Sequence, residues 1–132
     1  MTGSFQHVQL IKGGLRNAGA TPATLSEFAE ARGVLEQAVA KRPTYSSSRI
    51  SLGRVYLALG RNSDAIAQLE KGRRLDPRNK AVYPPLAAAY QRSSMPGKAK
   101  EALAALAALN REDAARIGEA DGGHAGYVKG GR

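Results

Sequence analysis

The sequence predicts an all-α protein built from short helices that pack in pairs. Three observations carry this. Hydrophobic residues make up 42% of the chain but include only two Phe, five Tyr and no Trp, so the core must come from Leu, Val, Ile and Ala, a composition suited to packed helices. From Leu25 onward apolar residues fall at intervals of three and four, the period of an amphipathic helix. Small and apolar residues also recur at one constant longer interval through the middle of the chain. A length of 132 residues is suited to one domain.

Residues 1–22 carry Gly3, Gly13, Gly14 and Gly19 without a sustained period and read as a loosely ordered N-terminal segment. A first helix starts near Thr24, where Thr24 and Glu27 have the spacing of a capping box. Its apolar stripe is Leu25, Phe28, Ala31, Leu35, Ala38 and Val39, and it ends before Pro43. A second helix runs from about Ser47 to Leu59, with Gly60 suited to a left-handed cap. Asn62 or Ser63 can cap a third, which Pro77 stops.

Lys80 to Arg92 gives a fourth helix. Pro84 and Pro85 lack amide protons and are tolerated only in a first turn, so this helix begins near Tyr83. A fifth runs from about Pro96 to Leu109, and Arg111 to Ile117 adds a further turn or two. The helical domain is thus 23–117. Residues 118–132 form a flexible tail, rich in glycine with little to bury.

Sliding the chain along itself by that longer interval pairs Leu52 with Leu86, Gly53 with Ala87, Tyr56 with Tyr90, Ala65 with Ala99, Leu69 with Leu103 and Leu75 with Leu109. Sliding it the other way pairs Ala65 with Ala31, Leu69 with Leu35, Gly72 with Ala38 and Pro77 with Pro43. Helices of about twelve residues are marginal alone in water, so each pair must lean on its neighbours. In this reading Gly53 meets Ala65 at a close backbone approach and Leu52 and Tyr56 fill the space beside them. Ala38 and Gly72 leave room for the next pair to dock. The alternative is a generic helical bundle.

The pattern resembles the tetratricopeptide repeat, whose unit of about 34 residues reads W-x2-L-G-x2-Y, then A-x3-F, then P. Leu52, Gly53, Tyr56, Ala65, Leu69 and Pro77 match it in order, with Arg49 in the Trp position. The following copy uses Leu86, Ala87, Tyr90, Ala99 and Leu103, with Tyr83 for the Trp and Arg111 for the Pro. The preceding copy keeps its second half alone. The resemblance implies a short right-handed α-solenoid of antiparallel helix pairs, about two and a half units and five helices.

It also implies a non-catalytic protein-interaction module whose concave face is lined by the first helix of each pair. On that face the sequence places Ser47, Ile50, Arg54 and Leu57, then Ala81, Pro84, Ala88, Gln91 and Arg92, with Arg78 and Asn79 at the turn between them. The family's clamp for chaperone C-termini needs Asn together with Lys and Arg. Here Ala20, Ser51 and Arg54 stand at those positions, so that activity is not carried over.

Charge narrows the partner. Lys and Arg number 20 against 11 Asp and Glu, a net +9. From Ala38 to Ser63 there are five basic residues and no acid, and from Lys71 to Lys100 eight against Asp76 alone. Such a field favours anionic partners, and Arg54 and Arg92 suit a carboxylate by bidentate bonding. The expected ligand is an acidic peptide or protein segment. The plain alternative is that these arginines solvate an exposed face.

Nucleic acid is the rival partner, supported by the basic clusters and by Tyr45, Tyr83 and Tyr127 as available stacking groups. A homodimer through Ala102 to Leu109, apolar all round its helix, is a further alternative. Against it, Ile117 could plug that face. Leu106 stands where Ala38 and Gly72 stand in earlier copies, so a fourth unit would dock poorly.

Chemistry finds little support. There is no cysteine, hence no disulfide or thiolate chemistry. Gly14 to Thr21 has the spacing of a phosphate-binding loop, but Ala20 replaces its lysine. His7 and His124 lack neighbouring ligands, Ser46 to Ser48 lack a histidine partner, and no acid pair has the spacing of a general acid and base. No enzyme, cofactor or metal is expected. The apolar run Val8 to Ile11 is short of a signal-peptide core, and no run reaches the ~20 residues of a membrane span. A soluble, cytoplasmic protein is the expectation.

Overall fold

The computed structural model describes residues 21–120. The readings made above for residues 1–20 and 121–132, including Gly14 to Ala20, His7, His124 and Tyr127, lie outside the described residues. Five α-helices follow one another: α1 (Pro22–Lys41), α2 (Ser46–Ala58), α3 (Asn62–Leu75), α4 (Tyr83–Arg92) and α5 (Pro96–Ala120), with a 3-10 turn, Lys80–Val82, leading into α4. No strand occurs among the described residues. Each helix packs on the next in sequence, and α2 also reaches α4. The first helices of two successive pairs therefore touch, as translational stacking requires, and the molecule is a short α-solenoid.

The helix starts differ from the sequence reading. The N-cap of α1 is Thr21, whose Oγ1 accepts from Thr24 N at 3.1 Å, so Thr24 lies inside the first turn instead of capping it. Pro22 explains the choice: its missing amide proton and fixed φ suit the first helical position. Neither Asn62 nor Ser63 caps α3. Arg61 occupies that position, its amide held by Tyr56 O at 2.8 Å and its Nε donating to Asp64 Oδ2 at 2.8 Å.

The turns repeat as the sequence does. Gly60 has φ 79° and Ser94, its counterpart in the next repeat, has φ 60°. Gly60 N donates to Leu57 O and Ser94 N to Gln91 O, at 3.0 and 3.1 Å. The residue in the repeat's Trp position also does one job twice. Arg49 Nε donates to Pro43 O at 2.8 Å, and Tyr83 Oη donates to Pro77 O at 2.5 Å. Two unlike side chains thus satisfy the same turn carbonyl.

The close approach inside the middle pair is at Gly53. A Cβ there would lie 2.6 Å from Leu69 Cδ2, an overlap no rotamer of a packed leucine relieves easily. The small residue therefore faces Leu69, one turn further along α3 than the Ala65 expected. Gly72 likewise faces its own pair: a Cβ would meet Ile50 Cγ1 at 3.2 Å and Ser46 O at 3.7 Å. Glycine there lets α3 close on α2 and does not make room for the following pair. Leu106, at the matching position of α5, is half-buried against the core.

Three leucines at one repeat position show where the solenoid ends. Leu69 is 0% exposed, because α2 lies on one side of it and α4 on the other. Leu35 is only half-buried, and Leu103 is 44% exposed. The expectation that Leu103 is a core position is corrected: no pair beyond α5 covers it among the described residues.

Helix α5 runs unbroken through Asn110 to Ala120. Pro43 and Pro77 stop α1 and α3, but Arg111 stands at that position here and keeps its amide proton. The extension is tied to the preceding turn by ion pairs of Arg78 with Glu112, at 2.9 Å, and of Lys80 with Asp113, which also meets Arg116. Lys80 bonded to Asp113 holds its carboxyl below the usual range. Ile117, expected to plug the apolar helix, is 62% exposed on this rod.

The two glycines within α1 and α2 make a test. Gly53→Ala should lose about 1–3 kcal/mol through overpacking against Leu69. Gly33→Ala, where nothing lies within 4 Å of an added Cβ, should gain about 0.5–1 kcal/mol from helix propensity. Urea midpoints of the two variants should move in opposite directions.

Candidate binding groove

A groove of about 400 Å³ opens between α1 and α2, lined by Phe28, Leu35, Ser51, Arg54, Val55 and Ala58. Its floor is apolar because Leu35, on the packing stripe of α1, and Val55, on α2, are half-buried beside it. Its rim carries the exposed Arg54. The helical period that puts Leu52, Gly53 and Tyr56 in the core turns Ser51, Arg54 and Ala58 toward the opening.

The residues singled out in the sequence divide. Ser47, Arg54, Pro84, Gln91 and Arg92 are exposed, and Ala88 is half-buried. Ile50 and Leu57, assigned above to the partner face, are core residues at 4% and 7% exposure, Ile50 facing Gly72. The sequence reading sets them one helical step too far round, since the stripe is wide enough to take in positions 50 and 57. Arg92 Nη1 donates to Leu57 O at 3.0 Å, so it crosses from α4 to the end of α2 and does not line this groove.

The two turn residues are engaged within the chain. Arg78 pairs with Glu112, and Asn79 accepts from Ala81 N at 3.1 Å to start the 3-10 turn. Sequence reasoning missed Phe28, Leu35, Ser51, Val55 and Ala58 as groove residues. The signal lay in the leading repeat, which keeps its second half alone, so that no described helix covers this flank.

A second missed feature joins the pairs. Tyr56 Oη donates to Glu36 Oε2 at 2.7 Å, and Tyr90 Oη donates to Glu70 Oε2. The two tyrosines are one repeat apart and so are the two glutamates, so one hydrogen bond recurs at each junction between a second helix and the next first helix. The next position in the series is Ala104, which is exposed and can accept nothing from a further tyrosine. Burial first, then the bond to Glu36 or Glu70, pushes each phenol up from 10.0 to about 12.

The basic surface offers few stacking groups. Tyr56, Tyr83 and Tyr90 are at most 7% exposed, which corrects the assignment of Tyr83 as available. Tyr45 is 44% exposed with the Arg42 guanidinium 4.2 Å from its ring centre. The apolar helix turns Ala102, Ala105, Leu106 and Leu109 to the core, leaving Leu103 as its one large exposed residue between Ala102 and Leu109. Among the described residues no helix is long and apolar enough to cross a membrane.

The architecture defines a class: helix pairs stacked at a fixed register, with Leu35, Leu69 and Leu103, the Tyr–Glu bonds and the inter-pair turns recurring one repeat apart. A family model described as tetratricopeptide repeat matches residues 25–88. No curated protein matches the chain. Two solved structures are similar in fold. One titled "Crystal structure of MamA" has a TM-score of 0.63 at 24% identity, covering 67% of this chain and 52% of that one. Another, "Crystal structure of MamA protein", has a TM-score of 0.61 at 24% identity, covering 67% and 48%. The chain spans about half the length of those structures. Residues 25–88 thus carry tetratricopeptide repeats.

The raised phenol pKa values set a pH dependence. Each tyrosine keeps its proton in the folded state to about 12 but releases it near 10.0 when unfolded. The stability this confers is complete below pH 10 and is lost as pH rises toward 12, by up to about 1.4 kcal/mol per pH unit for each tyrosine. Urea midpoints at pH 9, 10 and 11 should therefore fall less steeply for Tyr56→Phe/Tyr90→Phe than for the parent chain.

Proposed function

We propose that this protein binds an acidic segment of a partner protein along the concave face of its repeats, with the α1–α2 groove as the seat and Arg54 as the recognising cation. The observation that carries this is the groove itself: an apolar floor of Phe28, Leu35 and Val55 with one guanidinium at its rim. Apolar contacts supply affinity there, and a planar fork of donors selects a carboxylate. The net charge of +9 steers anionic partners toward the molecule. Arg92, bonded to the end of α2, supports the same face by fixing one first helix against the next.

Nucleic acid fits less well. Its phosphates would meet Lys and Arg, but sequence-tolerant single-strand binding also uses exposed aromatic faces, and Tyr45 is the one tyrosine that is more than slightly exposed among the described residues. Acidic peptides and single-stranded RNA titrated against the protein at two salt concentrations separate the two. Peptide binding should weaken at least tenfold in Arg54→Glu, about 1.4 kcal/mol or more, with helical content by circular dichroism unchanged. Unchanged peptide affinity in that variant removes the groove assignment. RNA binding that is tight and falls steeply with salt replaces it with a phosphate-binding reading.

A further inference from the structure

The groove has an internal counterpart. One repeat further on, Phe28, Leu35, Ser51, Arg54, Val55 and Ala58 become Asn62, Leu69, Pro85, Ala88, Ala89 and Arg92. There the space is filled, because α2 packs on both α3 and α4. Its Gly53 lies on Leu69 and its Leu57 carbonyl takes the Arg92 guanidinium. Leu69 and Ala89 are consequently 0% exposed. No described helix lies over the first set, and Leu35 and Val55 stay half-buried.

We infer that the α1–α2 groove is an unfilled first-helix slot, which a partner protein completes with an amphipathic helix of about thirteen residues lying as α2 lies on α3 and α4. Its chemistry follows from the filled slot. A glycine or alanine faces Leu35, since the equivalent contact at Gly53 admits no Cβ. Apolar residues one turn either side cover Phe28 and Val55. In the filled slot the cation is Arg92, at the end of the groove. In the open one that position is Ala58 and the cation stands one turn earlier, at Arg54, so the occupant carries an acid in its last two turns. This rests on the reading of the groove as the partner site and names the form its occupant takes.

The chain's own preceding residues do not meet these terms. In the filled slot Arg61, at the N-cap of α3, is midway in sequence between Gly53 and Leu69. The same mirror drawn about Thr21, the N-cap of α1, carries Leu35 to His7, an imidazole where a bare backbone is needed. Gly19 is the counterpart of Gly53 one repeat earlier, but it stands next but one to Thr21 in the chain, whereas Leu35 is about 20 Å along α1 at about 1.5 Å per residue. A copy of the filled slot in repeat register therefore does not set it opposite Leu35.

The probe is drawn from the sequence: a synthetic peptide of residues 46–58, SSSRISLGRVYLA, the helix that fills the equivalent slot, made with a free C-terminal carboxylate that supplies the acid in its last turn. Titrated into the isotope-labelled full chain, it should shift the amides of Phe28, Leu35, Ser51, Val55 and Ala58. The peptide carrying Gly53→Leu should bind at least tenfold more weakly, and Val55→Lys in the protein should abolish the shifts while circular dichroism stays unchanged. Silence of those amides at millimolar peptide, or equal binding of the two peptides, overturns the inference. So do nuclear Overhauser contacts from residues 1–20 to Leu35 in the free chain, which would show the slot filled in cis. If acidic peptides bind through Arg54 while this helix does not, the groove reading stands and the helical occupant falls. If the helix binds and acidic peptides do not, the slot stands without its acidic partner.

Discussion

The structure depends on one close contact, the backbone of α2 at Gly53 lying against the Leu69 side chain. Two short helices can bury a useful area only if their axes come near enough for apolar side chains to interdigitate, and a Cβ at position 53 holds them apart. With the approach made, Leu52, Tyr56 and Leu57 fall into the core, and Ala65 and Leu69 meet them from α3. The pair then presents a flat apolar flank on each side. That flank makes a single pair unstable alone and makes stacking its natural remedy.

Polar fittings set how the stack is joined. Glu36 with Tyr56 and Glu70 with Tyr90 place the same bond at each junction. A buried phenol without an acceptor is costly, so the bond fixes which residues of neighbouring pairs must face each other. The turns are held by a different device, a side chain from the first helix reaching the carbonyl of Pro43 or Pro77. Arginine and tyrosine share this work because the turn asks for a donor on a long side chain and does not discriminate further.

Both ends depart from the repeat, each for its own reason. At α5 the stopping proline is replaced by Arg111 and the accepting glutamate by Ala104, so the chain continues as a helix and offers no junction for another pair. At α1 the second helix of a pair stands without a described first helix, and the stripe of Leu35 and Phe28 borders a groove instead of a neighbour. One end is closed by its sequence. The other borders the groove proposed above as the partner's seat, with Arg54 at its rim.

Much of this was legible from residues alone. Periodicity and the placing of Pro43, Pro77 and Pro96 located five helices, and Gly60 announced a left-handed turn, because helix period and proline sterics are local properties. The regular recurrence of small and apolar positions implied stacking, since the same local pattern repeated must bury the same flank. Facing partners were not legible: Gly53 opposite Leu69, Gly72 opposite Ile50, and Ile50 and Leu57 in the core all depend on the rotation of one helix about its axis against another. That rotation is set by the sum of many side-chain contacts across the interface, a quantity no single stretch of chain contains. The groove was hidden for the same reason, being bordered by a stripe that no described helix covers, which only the tertiary arrangement can show.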